Sequence, residues 1–145
     1  MPDAKRQRPD SQISGMAGEF LTAGKLFKRG LQVAVTVGNA KAIDLFVNNP
    51  RTGRTFEVQA KAVRMKSCYP LRNENVRPDH IYVFVVLNGP KEDEDNFVVP
   101  GKDILNAIDR FFGTSYQRES PPKFPGINYG PLKDYKDKWD VFGGS

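Results

Sequence analysis

The sequence predicts a mixed α/β domain, and three observations carry that prediction. A helical stretch from Gly15 to Gly30 precedes three β-rich segments joined by short turns, and short connections favour antiparallel hairpins. The segment Ile81 to Leu87 (IYVFVVL) is nearly all apolar and β-branched or aromatic, the pattern of a strand covered on both faces. A second helical stretch, Lys102 to Phe112, comes near the end. The order helix, three strands, irregular stretch, two strands, helix fits a mixed central sheet of about five strands flanked by helices, α/β or α+β in class.

Each element has its own warrant. Met16, Phe20, Ala23 and Phe27 recur at helical spacing, so they are expected to form the buried stripe of the first helix, flanked by Leu21 and Leu26. Lys25, Lys28 and Arg29 suit its C-terminal dipole, and Gly30 its stop. Gly18 and Gly24 weaken a helix interior but permit close packing against a sheet. Leu31 to Val37 and Ala42 to Asn48 read as strands separated by a turn at Gly38-Asn39. Asn49-Pro50-Arg51-Thr52-Gly53 is a hairpin turn, and Thr55 to Val63 is the third strand. Alternation puts Phe56, Val58, Ala60 and Ala62 on one face, and Glu57, Gln59 and Lys61 on the other. Arg64 to His80 reads as a long irregular connection. Asn96 to Val99 is a short strand, and Ile104, Leu105, Ile108, Phe111 and Phe112 form the apolar side of the second helix.

The organisation expected is a flexible basic tail over residues 1–14, a core domain over 15–113, and an extension over 114–145. The extension is rich in proline and aromatic residues, too aromatic for a free linker, and should dock on the core with a short helix at about Pro131 to Lys138. No internal repeat or second domain is evident.

The 145 residues carry a net charge of +5 and a single Cys and single His. A basic balance points to an anionic partner, nucleic acid first, or simply to solubility. One cysteine excludes an internal disulfide and a multi-thiolate zinc site, and one histidine excludes a two-histidine metal centre. No apolar run reaches membrane-spanning length, and the polar N-terminus is not the apolar core of a signal peptide. A cytoplasmic protein without a membrane partner is the expectation.

The second hairpin carries the chemistry. Asp44 lies among apolar Ile43, Leu45 and Val47, and a carboxylate in a sheet is costly unless it is paired or holds a cation. Across the turn, Glu57, Gln59 and Lys61 share a face that the hairpin can bring beside Asp44. Such a cluster suits Mg²⁺-assisted phosphodiester hydrolysis, since Mg²⁺ takes a few hard oxygen ligands and a lysine can stabilise developing charge. The same residues also read as a solvated strand face with a cross-strand Asp–Lys pair.

The run A-I-D-L-F-V, a turn, then F-E-V-Q-A-K resembles the core of the PD-(D/E)XK nuclease superfamily, the restriction-endonuclease-like fold. In that family a helix bearing a Glu precedes a hairpin that carries an Asp and then a (D/E)-X-K tripeptide. The resemblance spans about Gly15 to Leu87 and leaves the C-terminal extension aside. It implies that Asp44 is the central metal ligand and Lys61 the catalytic lysine. Gln59 would replace the acidic residue of the tripeptide and ligate through its amide oxygen. Glu19 would be the auxiliary acid, and the Ala60 carbonyl would complete the metal shell. The implied cofactor is Mg²⁺ or Mn²⁺. Two departures stand out. Ile43 takes the place of the proline, and Gln59 makes the tripeptide a Q-x-K variant with a neutral ligand, for which Glu57 could partly compensate.

Around this cluster, Lys25, Arg51, Arg54, Arg64, Lys66 and Arg72 are candidates for nucleic-acid backbone contact, with Thr22 and Arg77 beside them and Tyr69 able to stack a base. The rival reading of the Arg64-to-His80 stretch is a solvated loop. Cys68 reads as incidental and His80 as structural. The function expected is a metal-dependent endonuclease acting on DNA, with RNA as the other polymer. Its alternative is a weak or inactive nucleic-acid-binding or protein-interaction module of the same fold. Either would work as a homodimer or as a subunit of a larger complex.

Overall fold

The structure is a computed structural model that describes residues 9–36, 44–113 and 126–143. Helix α1 spans Pro9–Lys28. It is followed by β1 (Gln32–Val35), β2 (Leu45–Asn48) and β3 (Thr55–Val63), then a two-residue strand β4 (Tyr69–Pro70). Next come β5 (His80–Val86), β6 (Asp95–Pro100), and the short helices α2 (Gly101–Leu105) and α3 (Ile108–Phe112). The C-terminal segment adds β7 (Gly126–Ile127) and 3-10 turns at Gly130–Tyr135 and Trp139–Phe142.

The main sheet has five strands in the order β1-β2-β3-β5-β6. β1, β2 and β3 pair antiparallel, β3 and β5 pair parallel, and β5 and β6 pair antiparallel. The mixed sheet flanked by helices is therefore the predicted architecture. Every residue of β5 is buried, as its unbroken apolar run requires. One core, on the α1 side of the sheet, gathers Leu26, Leu45, Val47, Val58, Val83, Val85 and Val98 with Trp139 and Phe142. The other gathers Tyr82, Phe84, Val86, Phe97 and Val99 with Ile104, Phe111, Ile127 and Leu132. The C-terminal segment thus contributes to both. Asn49 in the β2–β3 turn donates to the carbonyls of Phe142 (3.0 Å) and Gly143 (2.9 Å), which ties the segment to the hairpin.

Five expectations change. Helix α1 starts at Pro9, not Gly15, and takes in residues expected in the flexible tail. Proline suits a first helical turn, where its missing N–H is not needed. Residues 1–8 of that tail lie outside the described residues, as do residues 114–125 of the extension.

The buried stripe of α1 is also a different one. Ser14, Thr22, Ala23 and Leu26 are buried, whereas Met16, Phe20 and Phe27 are exposed. The cause is Gly18, where an added Cβ would stand only 2.7 Å from the Ala62 Cβ. Small residues let the helix lie directly on β3, and the large ones are left pointing away.

The second helix is broken into two at Asn106 and Ala107, because Ala107 takes a non-helical backbone (φ −143°, ψ 52°). The break lets Ile104 and Phe111 each reach the second core. The expected C-terminal helix is a pair of 3-10 turns, with Pro131 still in the first turn. Finally, the irregular connection after β3 is pinned at its middle, where Tyr69 pairs with Ile127 and Pro70 with Gly126.

Candidate active site

Asp44 sits where β2 leaves β3. The ladder pairs Leu45 with Val58 and Phe46 with Glu57. The next backbone bond runs from the Asp44 N–H to the Val58 carbonyl (2.9 Å), one residue out of that register. The strand N–H beyond it, on Ala60, is bound by the Asp44 carboxylate instead, at 2.8 Å to Oδ2. The side chain therefore replaces a strand carbonyl at the point of divergence, which meets the cost of placing a carboxylate in a sheet. A strand residue directs its N–H and C=O to the same side, so the Ala60 carbonyl faces the same gap.

Glu19 reaches this point from α1, brought close by the Gly18 contact with Ala62. Burial pushes its carboxyl above the ordinary 4.5, and repulsion from Asp44 adds to the rise. Two carboxylates therefore converge here. Among the described residues, neither Glu19 nor Asp44 Oδ1 has a hydrogen-bond partner. The Lys61 ammonium, one residue beyond Ala60, likewise makes no ion pair there.

The raised Glu19 pKa has a consequence for stability. The folded chain holds this proton more tightly than the unfolded chain, so its contribution is fully present below pH 4.5 and is lost as pH rises through the elevated value. Glu19→Gln should therefore stabilise the metal-free protein at neutral pH, with the gain shrinking to nothing in acid. Urea unfolding in EDTA across that range reads this directly, and an equal gain at every pH would rule out the ionisation of a buried Glu19 as its source.

Gln59 is buried at 7% exposure and is turned toward β5. Its Nε2 lies 3.0 Å from His80 Nδ1 and donates to Tyr82 Oη at 3.1 Å. Tyr82 Oη also accepts the Arg77 N–H at 2.9 Å. The Gln59 amide oxygen has no hydrogen bond among the described residues. Glu57 does not join Asp44. Its Oε1 lies 3.1 Å from His80 Nε2, and Glu57, Asp79 and His80 form a second cluster whose ligand atoms all fall within 4.8 Å of one another. Sequence reasoning missed this network. The parallel register that puts Gln59 beside Tyr82, and Glu57 beside His80, is a long-range pairing with no local signal.

The cationic residues are dispersed. Arg51 and Arg54 stand in the β2–β3 turn at the far end of the hairpin, roughly 20 Å from Lys61 at strand rise, and Arg54 lies over the Phe56 ring at 4.9 Å. Arg64 and Lys66 follow β3 and are exposed. Lys66 lies 5.5 Å from the Tyr129 ring centre. Arg72 pairs with Glu74 at 3.9 Å, and Lys25 with Glu94 at 3.6 Å. Thr22 is fully buried beneath α1 and cannot meet a phosphate. Tyr69, buried at 1% exposure and packed edge-on against Phe84, is a core residue and not a stacking platform. His80 is structural to the extent that both its ring nitrogens are engaged.

The donor set fits a hard cation such as Mg²⁺. The carboxylates of Asp44 and Glu19 and the Ala60 carbonyl, all of them oxygens, could hold one, whereas the Gln59 amide nitrogen is engaged with His80 and Tyr82. Comparison with solved structures finds the same architecture in nucleases. A bacterial homing endonuclease, I-Ssp6803I, matches with a TM-score of 0.60 at 16% identity over 90% of this chain and 89% of that one. The Holliday junction resolvase Hjc of Archaeoglobus fulgidus, an archaeal hyperthermophile, matches with a TM-score of 0.57 at 14% identity, over 90% of this chain and 97% of that one. The fold is restriction-endonuclease-like. No family model and no curated protein matches the sequence. Among the described residues, no helix is long and apolar enough to cross a membrane.

Proposed function

We propose that the chain is a metal-dependent endonuclease hydrolysing DNA phosphodiester bonds, with Asp44, Glu19, Gln59 and the Ala60 carbonyl holding Mg²⁺ or Mn²⁺. The observation that carries this reading is the convergence of Glu19 and Asp44, whose Oδ2 accepts the Ala60 N–H, one residue from Lys61, which makes no ion pair among the described residues. Two facing carboxylates are unfavourable alone and become favourable around a divalent cation. The bound cation would supply an activated water and neutralise phosphate charge. Asp44 is held for this by the Ala60 N–H, and Glu19 by the packing of α1 on β3. Lys61 supplies positive charge where negative charge develops on the phosphoryl oxygens. The two solved structures described above are named a homing endonuclease and a Holliday junction resolvase, which supports a DNA substrate. Arg64 and Lys66, exposed just beyond β3, would hold the backbone of the nucleic acid, with Lys25, Arg51, Arg54 and Arg72 as outlying contacts. In this reading residues 15–113 are the catalytic core and 114–145 an extension, of which the described part, 126–143, packs on that core.

A second reading, a binding module with little or no cleavage, is favoured by the commitment of Gln59 Nε2 to His80 and Tyr82. That bond holds a neutral side chain where the resemblance expects an acid, and a neutral ligand holds the cation more weakly.

The test is incubation with supercoiled plasmid and with short single-stranded, duplex and branched DNA, in Mg²⁺, Mn²⁺ or EDTA. Cutting in either cation that EDTA abolishes is the expected result. Salt-sensitive binding without cutting would select the second reading, and neither binding nor cutting would reject both.

A further inference from the structure

We infer that α1 pairs with the same helix of a second copy of this chain, antiparallel across a two-fold axis at Phe20. Ile13, Phe20 and Phe27 recur every seventh residue, and Met16 falls between them, which is the seam spacing of paired helices. All four are exposed, at 56%, 56%, 54% and 44% respectively. They lie on the side of α1 turned away from the sheet, opposite the buried Ser14, Gly18, Thr22 and Leu26. A helix already packed by one face that carries a second apolar face is built to be covered twice. Each of the four leaves about half of a ~200 Å² side chain uncovered, so the stripe offers roughly 400 Å² per copy. That lies within the range of functional surface patches and is about half of the ~800 Å² per partner of a standard interface, the remainder being polar rim.

The sizes along the stripe favour a second copy over an unrelated partner. Antiparallel pairing about Phe20 sets Ile13 against Phe27, Phe20 against itself and Met16 against Gly24. An added Cβ at Gly24 would meet nothing within 4 Å, so this glycine is an open notch in the stripe. The flexible Met16 side chain of one copy fits the notch of the other, beside a groove of about 480 Å³ lined by Ile13, Met16 and Phe20. Parallel pairing would set Gly24 against Gly24 and leave the notch empty, a poorer packing.

Sedimentation velocity of the full chain tests the pairing without reference to cleavage, so its failure and that of the nuclease reading are separable. The wild type should sediment with the mass of two chains. Phe20→Glu and Gly24→Phe should sediment as single chains with unchanged circular dichroism, the second because it fills the notch without touching the fold. In a Cys68→Ser background, Phe20→Cys should form a disulfide-linked dimer on oxidation, and Met16→Cys should cross-link with Gly24→Cys but not with itself. A monomeric wild type, a dimer that survives both substitutions, or self-cross-linking of Met16→Cys would overturn the inference.

Discussion

Asp44→Asn should lower metal-dependent DNA cleavage by about 10²–10³-fold, equivalent to roughly 3–4 kcal/mol of transition-state stabilisation, while leaving the fold intact. The two effects separate because Asp44 has two tasks. Its Oδ2 accepts the Ala60 N–H at 2.8 Å, and an asparagine carbonyl can accept the same bond. Its negative charge, opposed to that of Glu19, is what would attract the proposed cation, and an amide cannot supply it. Lys61→Met should give a loss of the same order by a different route. The ammonium has no partner among the described residues, so its removal breaks nothing structural and leaves metal affinity nearly unchanged. Single-turnover rates at saturating Mg²⁺, beside thermal melts of both variants, would check the pair. A parallel fall in melting temperature for Asp44→Asn would make it a structural residue only.

Gly18→Val should loosen the seat of α1 on the sheet, costing about 1–3 kcal/mol through overpacking. The contact it disturbs is the close approach of the helix to β3, where even a methyl group would meet the Ala62 Cβ at 2.7 Å. Lifting the helix also withdraws Glu19 from Asp44, so stability and cleavage should fall together. Gly15→Ala provides the contrast. Nothing lies within 4 Å of its added Cβ, and the change should be neutral or stabilise by up to about 1 kcal/mol. Urea midpoints for the two variants measure the difference, and equal midpoints would mean that the helix is not held by this contact.

The elements legible in the sequence were those with a local signature. Thr55–Val63 alternates in polarity and was readable to the residue, and the run within His80–Val86 could only be a doubly covered strand. The association of Glu19 with Asp44 followed from the resemblance of the two segments to a known nuclease core. What remained hidden depends on long-range packing. The amphipathic stripe of α1 was read correctly as apolar and assigned to the wrong side, because hydrophobicity does not reveal that Gly18 and Ser14 face the sheet. The hydrogen bonds of Gln59 to His80 and Tyr82 rest on the β3–β5 register, which no short stretch encodes. The β4–β7 pair joins segments far apart in sequence and was equally invisible.

The central claim is that Glu19, Asp44 and the Q-x-K segment form a divalent-cation site, and Mn²⁺ titration calorimetry tests it most directly. The wild type should bind one Mn²⁺ per chain, Asp44→Asn should abolish that binding, and Asp79→Asn, which removes a carboxylate from the Glu57–Asp79–His80 cluster without touching Gln59, should preserve it. Binding that survives Asp44→Asn but is lost in Asp79→Asn would contradict the account and move the cation to the other cluster.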